Sequence, residues 1–299
     1  MPQSSYAQTA WIPVRAVYDQ PFPRPSLKSL LLAILLFLLT LGTALAAGTQ
    51  FAITFRHNQP GSFPELFNAY TLFYKNPTAL LAGLPFAATL LTILLAHELG
   101  HFFACRRHYI HSSYPFFIPF PSLIGTFGAF ILMRSPIRTN RSLFDVGASG
   151  PLVGFIFAVP ALFYGVAHAK LLVLPEAQAP MTFGNPLLLH LIAALIYPGV
   201  PVKNILIDPI GRAAWVGLFA TSLNLLPAGQ LDGGHILRSI SPHAHKVVSW
   251  LLPLALVLLG YFGQSLLWYV WAALLLGIRF LKIAPIYDLT QLDPPRRFG

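Results

Sequence analysis

The chain has 299 residues, of which 56% are hydrophobic and only 9% charged, and its mean hydropathy is +0.65. Soluble domains carry about a quarter charged residues, so an ordinary soluble or disordered protein is excluded. The net charge of +10 comes from 19 Lys and Arg against 9 Asp and Glu, and because the basic residues fall between apolar runs the expected partner is a lipid bilayer, with no nucleic acid.

Residues 1–27 lack the basic start and apolar core of a secretory signal and read as a cytoplasmic N-terminal segment. Uncharged apolar stretches follow at 29–48, 77–96, 146–169, 213–231 and 247–278. About 20 helical residues cross a hydrocarbon core of about 30 Å, so each of the first four predicts one span. The last stretch would reach about 48 Å as one helix, too long for a simple crossing. Gly260, Gly263, Gln264 and Ser265 divide it into two short helices, which makes six spans. Residues 186–200 are also apolar, but they are too few to cross and end in Tyr197-Pro198-Gly199-Val200-Pro201, which suits an interfacial or re-entrant piece.

The predicted fold is therefore an all-α polytopic membrane protein of about six transmembrane helices. Its core domain covers 28–283, followed by a cytoplasmic tail at 284–299. With both termini cytoplasmic, 14 of the 19 basic residues fall on that side, as the positive-inside rule requires. A bacterial inner membrane fits the short N-terminus. The one cysteine, Cys105, makes neither an internal disulfide nor a cysteine-based zinc cluster, so any metal must be held by His and carboxylate.

The second apolar run ends in His97-Glu98-Leu99-Gly100-His101. Residues four apart on a helix differ by about 40° in direction, so His97 and His101 can face one metal while Glu98 is turned aside, where a base for metal-bound water belongs. A zinc site of this kind needs a third protein ligand and an open fourth position. Of the other acidic residues, only Asp232 adjoins the distal end of an apolar span, and Asp145, at the start of the third span, reads as a helix cap. If 186–200 does not cross, the second and fourth spans run in the same direction, which brings Asp232 to the depth of the two histidines. His235 competes with it as third ligand.

Pro227, Gly229, Gly233 and Gly234 predict a break in the helix before Asp232. Asn224, eight residues ahead of Asp232, has an amide suited either to stabilising an oxyanion or to bonding a neighbouring helix. Between the second and third spans, Tyr114-Pro115-Phe116-Phe117-Ile118-Pro119-Phe120-Pro121 and the Gly125 region cannot form regular helix. This segment reads either as a re-entrant, strand-like element, with Gly125, Thr126, Phe127 and Gly128 pairing with an unwound substrate, or as an apolar loop that packs the bundle.

With these motifs in place, the sequence resembles the site-2 protease family of intramembrane zinc metalloproteases. The resemblance runs from Thr78 to the C-terminus. It rests on the His97 to His101 motif together with Asn224, Pro227, Asp232 and Gly233, which stand at the family's N-x-x-P-x-x-x-x-D-G spacing. Gly125 to Ile131 is similar to the glycine-containing region of bacterial and plastid members, Gly150-Pro151-Leu152-Val153-Gly154 to their third-span start, and Asp288 to Arg297 to the tail of some bacterial members. There is no room for the PDZ module that some members insert. The resemblance implies His97, His101 and Asp232 as ligands of one zinc, Glu98 as catalytic acid and base, and Asn224 as a substrate or oxyanion contact. It also implies peptide hydrolysis of a transmembrane protein substrate within the membrane. The alternative is a membrane metal-ion permease using the same ligands, and a prenyl-processing type of membrane protease is disfavoured because Asp232 sits in its own motif.

Overall fold

The computed structural model describes residues 26–58, 70–135, 137, 139–172, 185–264 and 266–279. The segment expected at 1–27 lies outside them up to residue 25, and the tail expected at 284–299 lies outside them entirely. The elements in chain order are α1 (Leu27–Arg56), a short α2 (Leu72–Lys75), a 3-10 turn at Pro77–Gly83 and α3 (Leu84–Arg107). There follow β1 (Phe116–Pro119), β2 (Thr126–Phe130), α4 (Asn140–Ala167), β3 (Lys170–Leu171), α5 (Leu187–Ile196) and β4 (Ile205–Leu206). The chain continues through α6 (Pro209–Asn224), α7 (Asp232–Ile240), α8 (Pro242–Gly263) and α9 (Leu266–Arg279).

Among the described residues, four helices are long and apolar enough to cross a membrane: α1, α3 with the turn before it, α4 and α8. Their outward faces carry exposed Leu35, Leu38, Leu152, Ile156, Leu254 and Leu258, as expected where lipid replaces water. Six were expected; the other apolar segments form shorter helices among the described residues. The predicted fourth span is α6, of 16 residues, which stops at Asn224 because Pro227 and Gly229 follow; the predicted sixth is α9, described over 14 residues. The apolar piece at 186–200 forms α5, whose 10 residues reach about 15 Å, half a hydrocarbon core.

The fold is mostly helical, as expected, and carries two small antiparallel sheets. One pairs β1 with β2, with Phe116 opposite Phe130, in the segment predicted to be strand-like. The other pairs β3 with β4, and Lys170-Leu171 and Ile205-Leu206 are too short to carry a strand pattern in the sequence.

Helix starts follow local chemistry. Ser26, Asp208 and Ser241 accept the free N–H groups of α1, α6 and α8, and Thr139 forms a reciprocal box with Ser142 at α4. The cap of the third span is therefore Thr139. Asp145 sits in the second turn and instead meets His108 Nε2 at 2.8 Å, joining the end of α3 to the start of α4.

Small residues set how closely the helices approach. A Cβ on Gly83 would overlap the Leu45 carbonyl of α1, and one on Gly165 of α4 would overlap the backbone of Gly211 in α6. Beside these seams, Ile93, Leu162, Val166, Ile192 and Leu218 form a common core from α3, α4, α5 and α6.

Burial along α1 is uneven. Leu27, Leu31, Leu32, Ile34, Leu35, Leu38 and Leu39 are exposed, whereas Ala44, Ala46, Ala47, Gly48 and Thr49 are buried. The C-terminal end of α1 is further tied by Lys170, whose Nζ donates to Phe55 O and Asn58 Oδ1, each at 2.8 Å, and lies over the Phe55 ring. Midway along, the Thr43 hydroxyl donates to Gly125 O at 2.5 Å, and the Tyr70 hydroxyl donates to Ser122 O at 2.8 Å, so the turn of the β1–β2 hairpin is fastened from two sides. Burial pushes the Tyr70 hydroxyl up to about 12, which keeps it protonated as the donor this contact needs.

The seam between α4 and α6 is directly testable. Gly165→Val should lower the melting temperature in detergent by the equivalent of about 1–3 kcal/mol of overpacking. Gly277→Ala, where nothing lies within 4 Å of the added carbon, should leave it unchanged. Equal melting of the two variants would show that the seam is not close-packed.

Candidate metal centre

His97 and His101 lie on one face of α3, two turns from its C-terminus, and are 4% and 6% exposed. Asp232 is the first residue of α7 and reaches them across the bundle. Its Oδ2 is 3.1 Å from His97 Nε2, and its Oδ1 is 3.3 Å from His101 Nε2. Among the described residues these three form a group of potential ligand atoms, all within 4.8 Å of one another. Bonds of about 2.0–2.2 Å in a tetrahedron put neighbouring donors about 3.4 Å apart, so two nitrogens and a carboxylate at these separations fit a zinc ion. His235 follows one turn later on α7, against Gly147 of α4, and is not part of the group.

The His101 ring is held by a bond that also decides its tautomer. Its Nδ1–H donates to Val146 O of α4 at 2.7 Å, which leaves Nε2 unprotonated and aimed at Asp232. The space for both rings comes from α4. A Cβ on Gly150 would overlap the His101 ring, and one on Gly154 would lie 3.1 Å from His97 Nδ1. Gly150 and Gly154 thus repeat, on the facing helix, the four-residue spacing of the histidines. That match was available in the sequence, where the glycines had signalled only a likeness at a span start.

Glu98 is buried beside the histidines, with the backbone of Ile131, the residue that follows β2, nearby. The end of the hairpin thus lies close to the candidate base, a proximity no side-chain pattern could have signalled. Asn224 is the last residue of α6, half-buried, at the start of the break that leads to Asp232.

The four residues expected to meet a substrate divide into two kinds. Gly125, with φ of +83°, presses on the backbone of Ala44, and Thr126 is buried with its hydroxyl donating to Ile118 O at 2.8 Å. Phe127 is exposed and stacked on Phe120, and Gly128, with φ of +107°, has open space where a side chain would be.

Residues 85–259 match the family model described as Peptidase family M50. The chain is 33% identical over 238 residues to a protein of Arabidopsis thaliana named probable zinc metalloprotease EGY1, chloroplastic, covering 75% of this chain and 42% of that one. It is 31% identical over 241 residues to probable zinc metalloprotease EGY2, chloroplastic, of the same plant, covering 79% and 41%. The EGY1 protein of Oryza sativa subsp. japonica is 37% identical over 165 residues, or 52% of this chain and 28% of that one. The chain thus spans about two-fifths or less of the length of these curated relatives. No solved structure matches it.

If α4 seats the imidazoles, Gly150→Ala should weaken the binding of added zinc by the purified protein while the helical content is kept. Zinc taken up as tightly by that variant as by the wild type would contradict the seat.

Proposed function

The chain belongs to peptidase family M50, and from that membership we propose that it is a zinc-dependent endopeptidase that cuts transmembrane segments of other membrane proteins. The observation that carries this reading is the meeting of His97 and His101 from α3 with Asp232 from α7, with Glu98 in the same helical turn. One zinc per chain, held by His97, His101 and Asp232, would supply a Lewis acid for the scissile carbonyl and lower the pKa of bound water toward about 7. Glu98 takes the proton from the attacking water and delivers it to the leaving amine. The Asn224 amide donates to the oxygen that gains charge in the transition state.

A helical substrate has its peptide groups already bonded to one another, so it must unwind before cleavage. The exposed edge of β2, at Phe127 and Gly128, pairs with no third strand among the described residues and takes up the freed backbone groups by strand addition. The nearness of Ile131 to Glu98 supports this placement, because the substrate-bearing strand ends beside the base. The proposed setting is a bacterial inner membrane, with the zinc end of the bundle on its cytoplasmic side. The plant relatives are named chloroplastic, and a plastid membrane presents the same apolar core. Nothing favours the metal-permease alternative: a transport path needs successive ligand sets, and among the described residues one group converges.

Glu98→Gln keeps the size of the side chain and removes the base. It should retain zinc and lose cleavage of a model transmembrane substrate by about 10²–10⁴-fold. His97→Ala should lose both. Near-normal cleavage by Glu98→Gln would defeat the assignment, and ion flux abolished by these changes in a protein without protease activity would restore the permease.

Substrate choice should follow helix instability near the cut. Helix-breaking residues placed there should raise cleavage, and Gly128→Val should reduce it with zinc unchanged. The strand-pairing part of the proposal fails if helix-stabilising substrate changes have no effect and Gly128→Val is fully active.

A further inference from the structure

Two polar side chains that the proposed chemistry leaves unused close on a single backbone position. His245 and Ser249 lie one turn apart on α8, and each is 7% exposed. The His245 Nε2–H donates to Gly229 O at 3.0 Å, and the Gly229 N–H donates to Ser249 Oγ at 3.1 Å. The same Nε2 lies 3.4 Å from Ser249 Oγ, so the three residues form one closed set.

Gly229 stands in the break between α6 and α7, three residues before Asp232, with φ of +59°. No helical ladder supports the backbone there, and both of its polar groups are buried, so the partners on α8 decide where it rests. The position is passed on by contact. A Cβ on Gly234 would lie 2.7 Å from the carbonyls of Ala228 and Gly229, so the break presses against the first turn of α7. From the other side, Leu231 packs against the cluster that Leu256 of α8 forms with Ala272 and Leu275 of α9. Asp232 is therefore flanked, at one and at three residues, by points held on the α8–α9 pair.

We propose that His245 and Ser249 are positioning residues for Asp232. They hold the break through Gly229 and so set the height and direction of the carboxylate against His97 and His101, as partners outside a metal's ligands orient the ligands themselves. The proposal rests on the reading of His97, His101 and Asp232 as the metal ligands.

The test loads the purified full chain with cobalt(II), whose visible absorption reports ligand geometry. His245→Ala should bind cobalt about 10–100-fold more weakly and shift the spectrum. His245→Gln, which keeps an N–H donor, should restore both, and Ser249→Ala should shift the spectrum in the same direction. A role confined to packing would lower the melting temperature and leave the spectrum of the bound metal as in the wild type. Cobalt lost in His97→Ala but spectrally unchanged in both His245→Ala and Ser249→Ala overturns the positioning role alone. Cobalt bound equally well by wild type and His97→Ala overturns the ligand assignment beneath it. If His245→Ala does not fold, His245→Gln and Ser249→Ala carry the comparison.

Discussion

A carboxylate placed inside an apolar bundle is costly unless groups of opposite character meet it, and Asp232 is met by two imidazoles at 3.1 and 3.3 Å. Much of the surrounding structure serves that meeting. The break before α7 brings the carboxylate to the depth of the histidines. Gly150 and Gly154 clear the volume of the two rings, and Val146 O fixes how one of them is turned. The small residues at Gly83, Gly165 and Gly211 let the helix backbones approach closely enough for three separate elements to share one site.

What the sequence made legible follows from periodicity and scarcity. The spacing of His97 and His101 determines a shared helix face at any register, and so few acids are present that Asp232 had little competition beside an apolar run. The proline and glycines between Asn224 and Asp232 announced the break, and the prolines at 115, 119 and 121 announced a non-helical segment, which is the β1–β2 hairpin. The number of crossings was not legible in the same way. Apolar runs measure hydrophobicity, whereas α6 ends where Pro227 and Gly229 stop the helix, inside a run that continues to residue 231. Asp145 was misread as a cap because its partner, His108, lies 37 residues earlier, beyond the reach of a local pattern. The Val146 carbonyl on His101 is a backbone group and carries no side-chain signature.

The match to peptidase family M50 covers α3 to most of α8, the same stretch that holds every ligand candidate and the brace at Gly229. The β1–β2 hairpin lies within it too, fastened to α1 through Thr43, with Ile131 close to Glu98. One short element thus runs from the wall of the bundle at its turn to the neighbourhood of the candidate base at its end.

The uneven burial of α1 has a mechanical consequence. Its later half is wedged among alanines and glycines and anchored at the far end by Lys170, while its first three turns offer mostly leucine to the lipid. Along that first half the helix touches the bundle on one narrow face only, through Ser29, Ala33, Phe37 and Thr40, with Phe37 set edge-on against Phe117 of β1. By the direction of the chain, that half lies at the level where α3 carries its histidines. The more narrowly held part of this wall therefore stands beside the metal donors, and the firmly wedged part toward the other end of the bundle.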